Sequence, residues 1–194
     1  DGVFKRVCRE ARQQPGKPFL VLIDEINRAH IAKVFGELVT LLEADKRDLA
    51  VTLPQSKERF SIPENVYLLG TMNIADRSLA LVDLALRRRF SFETLKPAFT
   101  DDWADYLAAK LPNDPGLVAT IRSRIHDLNT TIEQDPMLGP NFLIGHSFLA
   151  PLQSQSDGRA WYFGVIDTQI GPQLQEYWFD AREKAEAAIA ALKS

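Results

Sequence analysis

The run Phe19-Leu20-Val21-Leu22-Ile23, closed by Asp24-Glu25, constrains this chain more than any other feature. Five apolar residues with no polar interruption predict a strand buried on both faces, as in a parallel sheet covered by helices. Two carboxylates then stand at the C-terminal edge of that sheet, where open α/β sheets bind ligands. A second run, Val66-Tyr67-Leu68-Leu69-Gly70-Thr71, repeats the pattern and ends in Met72-Asn73. Between the two, Ile31, Val34, Phe35, Leu38, Leu41 and Leu42 recur at helical spacing, with Lys33, Glu37 and Thr40 on the other face. Strand-like pieces at residues 50–53 and 59–62 flank the polar turn Pro54-Gln55-Ser56-Lys57-Glu58, which predicts a hairpin.

Upstream, Val3, Phe4, Val7 and Ala11 predict an amphipathic helix, followed by a turn at Gln14-Pro15-Gly16-Lys17-Pro18. Beyond Asn73, Leu79, Val82 and Leu86 predict a helix over residues 78–88, and the alternation across residues 90–95 predicts a third strand. Strand, helix, strand, helix, strand is an α/β order. From about residue 97 the strand signals stop. Helices are expected near residues 100–111, 117–134, 160–170 and 179–192, interrupted by Pro136-Met137-Leu138-Gly139-Pro140. The chain thus reads as an α/β unit over residues 1–97 and an all-helical unit over residues 98–194.

Charge and composition exclude several classes. With 23 basic and 26 acidic residues the net charge is −3, which provides no global attraction to nucleic acid. A hydrophobic fraction of 45% and a charged fraction of 25% match a globular chain rather than a disordered one. The apolar runs are far too short to cross a bilayer, and no signal-peptide pattern opens the sequence. A single cysteine, Cys8, permits no internal disulfide and fits a reducing, cytoplasmic setting.

In a nucleoside triphosphatase, the first carboxylate of such a strand end holds Mg²⁺ and the second orients the attacking water. Asn73, at the same edge, is a candidate donor to that water or to the γ-phosphate. Arg87, Arg88 and Arg89 are candidates for an arginine that stabilises phosphoryl-transfer charge across a subunit boundary. Each also has a plainer reading: acids and amides often end strands, and three arginines often form a solvated turn.

Four pieces occur in order: Leu22-Ile23-Asp24-Glu25-Ile26-Asn27-Arg28-Ala29, Phe35-Gly36-Glu37-Leu38, Gly70-Thr71-Met72-Asn73-Ile74-Ala75-Asp76-Arg77-Ser78 and Ala85-Leu86-Arg87-Arg88-Arg89-Phe90. Together with Ile144-Gly145-His146-Ser147-Phe148, they closely resemble the AAA+ module of the McrB family, motor subunits of modification-dependent restriction systems. The resemblance implies a partial P-loop core of α/β class, a parallel sheet with flanking helices, followed by a small helical lid. It makes Asp24 the Walker B magnesium residue, Glu25 the hydrolytic glutamate and Asn73 the first sensor. Asp76 and Arg77 complete the family signature at the nucleotide site, and Arg88 or Arg89 is the finger acting in trans. It further implies Mg²⁺ and GTP (or ATP) as cofactors and a homo-oligomeric ring, commonly a hexamer. Its partners would be a McrC-like nuclease subunit and DNA read through a separate N-terminal domain.

The sequence departs from the pattern in two places. Gly16-Lys17 is followed by Pro18 where a P-loop needs Ser or Thr, and Ala11 stands where its first glycine belongs, so the phosphate cradle is expected upstream of Asp1. Ile74 occupies a position where many relatives carry Thr. Two other classes stay open: a MoxR- or dynein-like ATPase that remodels proteins, and a scaffold that does not hydrolyse nucleotide. His30 and His126 read as surface or capping residues, and His146 as structural. The aromatic group Trp161, Tyr162, Phe163, Tyr177, Trp178 and Phe179 reads as lid core or a protomer contact, and Asp45-Lys46-Arg47-Asp48 as a charged helix end.

Overall fold

The structure, a computed structural model, describes residues 2–28, 35–47, 49–73, 75 and 87–194. The contacts divide the chain into two units, Asp1–Glu93 and Thr94–Ser194. The expectations for Ile31, Val34, His30 and Asp48, and for residues 78–86, lie outside the described residues.

In the first unit, helix α1 (Val3–Gln13) leads through a turn into β1 (Phe19–Ile23). A short hairpin, β2 (Val51–Thr52) with β3 (Arg59–Phe60), precedes β4 (Val66–Gly70). Strands β1 and β4 pair in parallel, from Phe19 opposite Val66 to Ile23 opposite Gly70. Cys8 and Ala11 of α1 pack with Leu41, Leu42, Phe60, Ile62 and Val66 under one face of this sheet. Burial pushes the Cys8 thiol up to about 11, which marks it as a packing residue rather than a nucleophile.

Two polar side chains fasten α1 and the turns to β4. The Asn65 amide nitrogen lies 3.0, 3.0 and 2.8 Å from the carbonyls of Ala11, Gln14 and Lys17, tying the end of α1 and the turn after it to the start of β4. Arg47, expected on a charged helix end, instead turns inward and donates to the Val66 carbonyl at 2.7 Å. Its side chain is half-buried, and no local pattern announces that.

Three expectations for this unit need correction. Both strands were expected to be buried on both faces, yet Leu20, Leu22, Tyr67 and Leu69 are 64%, 61%, 57% and 52% exposed. Alternate side chains of a strand point to opposite faces, and among the described residues the packed core lies on the face toward α1. Residues 36–42 wind as a 3₁₀ rather than an α-helix, and Gly36 opens the segment at φ 51°, a conformation glycine adopts at no steric cost. Residues 90–95 form no strand: Phe90 packs into the core, but Phe92 and Leu95 are exposed and no described strand pairs with this segment.

The second unit is helical: α2 (Asp101–Lys110), α3 (Leu117–Glu133), α4 (Gly158–Val165), α5 (Gly171–Tyr177) and α6 (Arg182–Lys193). The Thr100 hydroxyl accepts from Trp103 N–H, and Asp101 and Asp102 fill the first turn of α2, which suits the positive end of a helix. On α3, Val118, Ile121, Ile125, Leu128 and Ile132 recur every three or four residues and form the core stripe. The helix expected over residues 160–170 starts at Gly158 and runs on into α5 through a π-turn at Ile166–Ile170. Pro172 has no N–H to give, and the wider turn lets Gly171 N–H reach the Ile166 carbonyl. A Cβ at Gly171 would meet that oxygen at 2.7 Å, so glycine is required there.

The lid core includes Tyr162 and Trp178, while Phe179 is exposed. His146 is structural: its Nδ1 accepts Ala98 N–H at 3.0 Å, and the ring meets Phe99 edge-on. Asn129 holds the same segment by bonding both the N–H and the carbonyl of Ile144, at 2.8 and 3.1 Å.

Asp135, a lone loop acid in sequence, is buried and ties the lid together. Its Oδ2 accepts from Lys184 Nζ at 2.6 Å and Trp178 Nε1 at 2.8 Å, and its Oδ1 accepts Met137 N–H at 2.8 Å. The Lys184 and Trp178 hydrogen bonds, against the effect of burial, bring its carboxyl from 3.8 down to about 2. A depressed folded value contributes stability above the unfolded value, and that contribution is lost as pH falls from about 3.8 through about 2. Asp135→Ala is expected to destabilise the lid by about 1–3 kcal/mol, because Trp178 Nε1 is left buried without an acceptor. Amide exchange along α3 and α6 in wild type and variant checks this, and the difference should narrow below pH 3.8.

Candidate functional site

The parallel register puts Ile23 opposite Gly70, so the residues that follow the two strands emerge side by side. Two backbone bonds extend the ladder past the strands: Thr71 N–H to the Ile23 carbonyl at 3.0 Å and Ile26 N–H to the Thr71 carbonyl at 2.8 Å. This brings Asp24 and Glu25 together with Thr71 and Asn73 on one edge.

Within this edge, Asp24 is exposed and accepts a hydrogen bond from the Thr71 hydroxyl. Glu25 takes a left-handed backbone, φ 51°, rare for a residue with a side chain. Its N–H donates to Thr71 Oγ1 at 3.1 Å, and its carboxylate forms an ion pair with Arg28. Asn27 donates from Nδ2 to the Asn73 carbonyl at 3.2 Å. Asn73 is exposed, and its own Oδ1 accepts Ala75 N–H at 3.0 Å, closing a local turn. Asp76 and Arg77 lie outside the described residues.

Gly70 explains why these loops can approach so closely. A Cβ there would sit 2.9 Å from Ile26 Cδ1 and 3.1 Å from its Cγ2, and Ile26 anchors the loop that carries Asp24 and Glu25. Gly70→Ala is expected to cost about 1–3 kcal/mol of stability through overpacking. Chemical denaturation of the α/β unit within the full-length protein checks it.

The three arginines are not equivalent. Arg87 and Arg88 are exposed, whereas the Arg89 side chain is only 16% exposed and its Nη2 lies 2.8 Å from Glu43 Oε1. The hydrogen bond from Lys46 and the charges of Lys46 and Arg89 hold the Glu43 carboxyl below its usual range. Sequence reasoning missed Thr71, Asn27 and Glu43. The Thr71 hydroxyl stands directly after a strand, two residues before the amide, which is the one local sign of its position.

Among the described residues no group of three or more His, Cys, Asp or Glu side chains is placed to hold a metal ion. Nor is any helix among them long and apolar enough to cross a membrane. His126 lines an open lid groove with Asp105, Arg122 and Glu133.

A parallel sheet edge carrying two acids and an amide, followed in the chain by an all-helical unit, is consistent with an AAA+ protein, and comparison with known proteins shows that class. Residues 1–90 match the AAA domain of the dynein-related subfamily, and residues 120–186 match the McrB alpha-helical lid domain. The chain is 43% identical over 189 residues to the type IV methyl-directed restriction enzyme EcoKMcrB subunit of Escherichia coli (strain K12), covering 93% of this chain and 41% of that protein. It is 32% identical over 161 residues to the type II restriction enzyme BsuMI component YdiS of Bacillus subtilis (strain 168), covering 73% of this chain and 47% of that protein. The chain belongs to the McrB family of AAA+ proteins. It spans less than half the length of either relative.

Proposed function

We propose that this chain is the Walker B, sensor and lid portion of a nucleoside triphosphatase that serves as the motor subunit of a McrBC-like restriction system. The reading rests on one observation above the others: the β1–β4 register gathers Asp24, Glu25 and Asn73 at one sheet edge. In this reading Glu25 aligns and polarises the attacking water, and Asn73 reports the γ-phosphate. Asp76 contributes to the nucleotide site, and the boundary between core and lid falls near residue 97. Arg88, exposed, is the finger offered to the neighbouring protomer, while Arg89 holds Glu43 within its own protomer.

Magnesium fits the donors present. Asp24 is an exposed hard-oxygen ligand at the sheet edge, and Mg²⁺ in nucleotide sites is bound by one or two carboxylates plus phosphates and water. When bound, Mg²⁺ neutralises charge on the β- and γ-phosphates. The nucleotide is GTP, or ATP as in remodelling relatives, and the assembly is a ring, commonly of six. A McrC-like nuclease would use the motion, and a separate N-terminal domain would read DNA. The setting is cytoplasmic.

The test is phosphate release by the full-length protein with GTP and ATP in parallel, with Mg²⁺ chelated as a control. Turnover of GTP well above ATP, silenced by chelation, supports the reading. A preference for ATP moves it to a protein-remodelling ATPase, and no turnover with a nuclease partner present moves it to a scaffold.

A further inference from the structure

We infer that Thr71 is the positioning residue of this site, a single hydroxyl that sets Asp24 and Glu25 at once. The inference rests on the proposed hydrolytic reading for its consequence, but not for its geometry. The Thr71 hydroxyl has one proton and two lone pairs. Its proton goes to Asp24 Oδ1, and a lone pair takes Glu25 N–H at 3.1 Å. The Thr71 N–H and carbonyl meanwhile bond Ile23 and Ile26, so residues 23–26 are held at four points to the one residue that follows the neighbouring strand.

That arrangement answers a question the backbone poses. Glu25 sits at φ 51° without being glycine, a conformation that persists only where surrounding contacts over-determine it. The bonds from Glu25 N–H to Thr71 Oγ1 and from Ile26 N–H to the Thr71 carbonyl clamp the peptides on both sides of it. The clamp sets where the Glu25 side chain leaves the main chain. The same oxygen that receives Glu25 N–H fixes one oxygen of Asp24, so metal ligand and glutamate are coupled through one atom. Partners of this kind orient ligands without touching the metal, and their loss typically costs 10–100-fold in metal affinity.

Thr71→Val keeps the β-branched shape of the strand end and removes only the hydroxyl, whereas Thr71→Ser keeps the hydroxyl. In the full-length protein without nucleotide or metal, Thr71→Val is expected to speed exchange of the Glu25 amide, with Thr71→Ser close to wild type. Thr71→Val should also raise the Mg²⁺ concentration for half-maximal hydrolysis by about 10–100-fold. Its affinity for a fluorescent nucleotide analogue in EDTA should be unchanged. Val matching wild type in amide exchange and Mg²⁺ requirement overturns the inference, as does Ser failing along with Val. If wild type turns over no nucleotide, the hydrolytic reading fails alone, and Glu25 amide exchange still decides the role of Thr71.

Discussion

In the ring proposed above for the full-length protein, Arg88→Ala protomers are expected to hydrolyse nucleotide about 10³–10⁵-fold more slowly than wild type, the range of a lost arginine finger. The expectation follows from the contrast between adjacent arginines. A residue that must reach across a subunit boundary has to be exposed on its own protomer, and Arg88 is. Arg89 is occupied by Glu43, so Arg89→Ala should act mainly as loss of an ion pair within the α/β unit. Mixing decides whether the action is in trans. Arg88→Ala protomers supply an intact Glu25, and Glu25→Gln protomers supply an intact Arg88. Neither should turn over alone, and mixed rings should recover activity at those interfaces that pair the two intact residues. Recovery that depends on the mixing ratio supports Arg88. Absence of recovery, with loss in Arg89→Ala instead, assigns the finger to Arg89.

Glu25→Gln is expected to lower hydrolysis by about 10²–10⁴-fold, as for loss of a general base, while nucleotide binding persists. Gln keeps the length and hydrogen-bonding capacity of the side chain but removes its charge, and with it the partner of Arg28. The backbone at φ 51° and its bond to Thr71 do not depend on the carboxylate, so the loop should stay in place. Single-turnover measurement separates the two effects: bound nucleotide should remain uncleaved at unchanged occupancy. A variant that instead loses nucleotide affinity as strongly as turnover would assign Glu25 a structural role.

The parts of the site legible in the sequence are those whose chemistry is local. Phe19–Ile23 and Val66–Gly70 are apolar runs bounded by polar residues, and both are strands. Asp24, Glu25 and Asn73 stand where each run stops. The lid helices were readable because the α3 core stripe repeats at helical spacing. The alternation across residues 90–95 misled, since alternation describes side chains and a strand needs a partner to bond with. The helix expected to stop at residue 170 differs in another way: a π-turn at Ile166–Ile170 carries it past that point into α5.

By itself the sequence determined which segments can be helix or strand, and which side chains are candidates for phosphate chemistry, because propensity, periodicity and functional groups belong to single residues and near neighbours. Only tertiary structure decided that Ile23 faces Gly70, which makes Thr71 the common partner of Asp24 and Glu25. It likewise decided that Arg89 pairs with Glu43 while Arg88 stays exposed, and that Asp135 serves Trp178 and Lys184. These pairings join residues about 40 to 50 positions apart, where strand register and packing, rather than local preference, choose the partner.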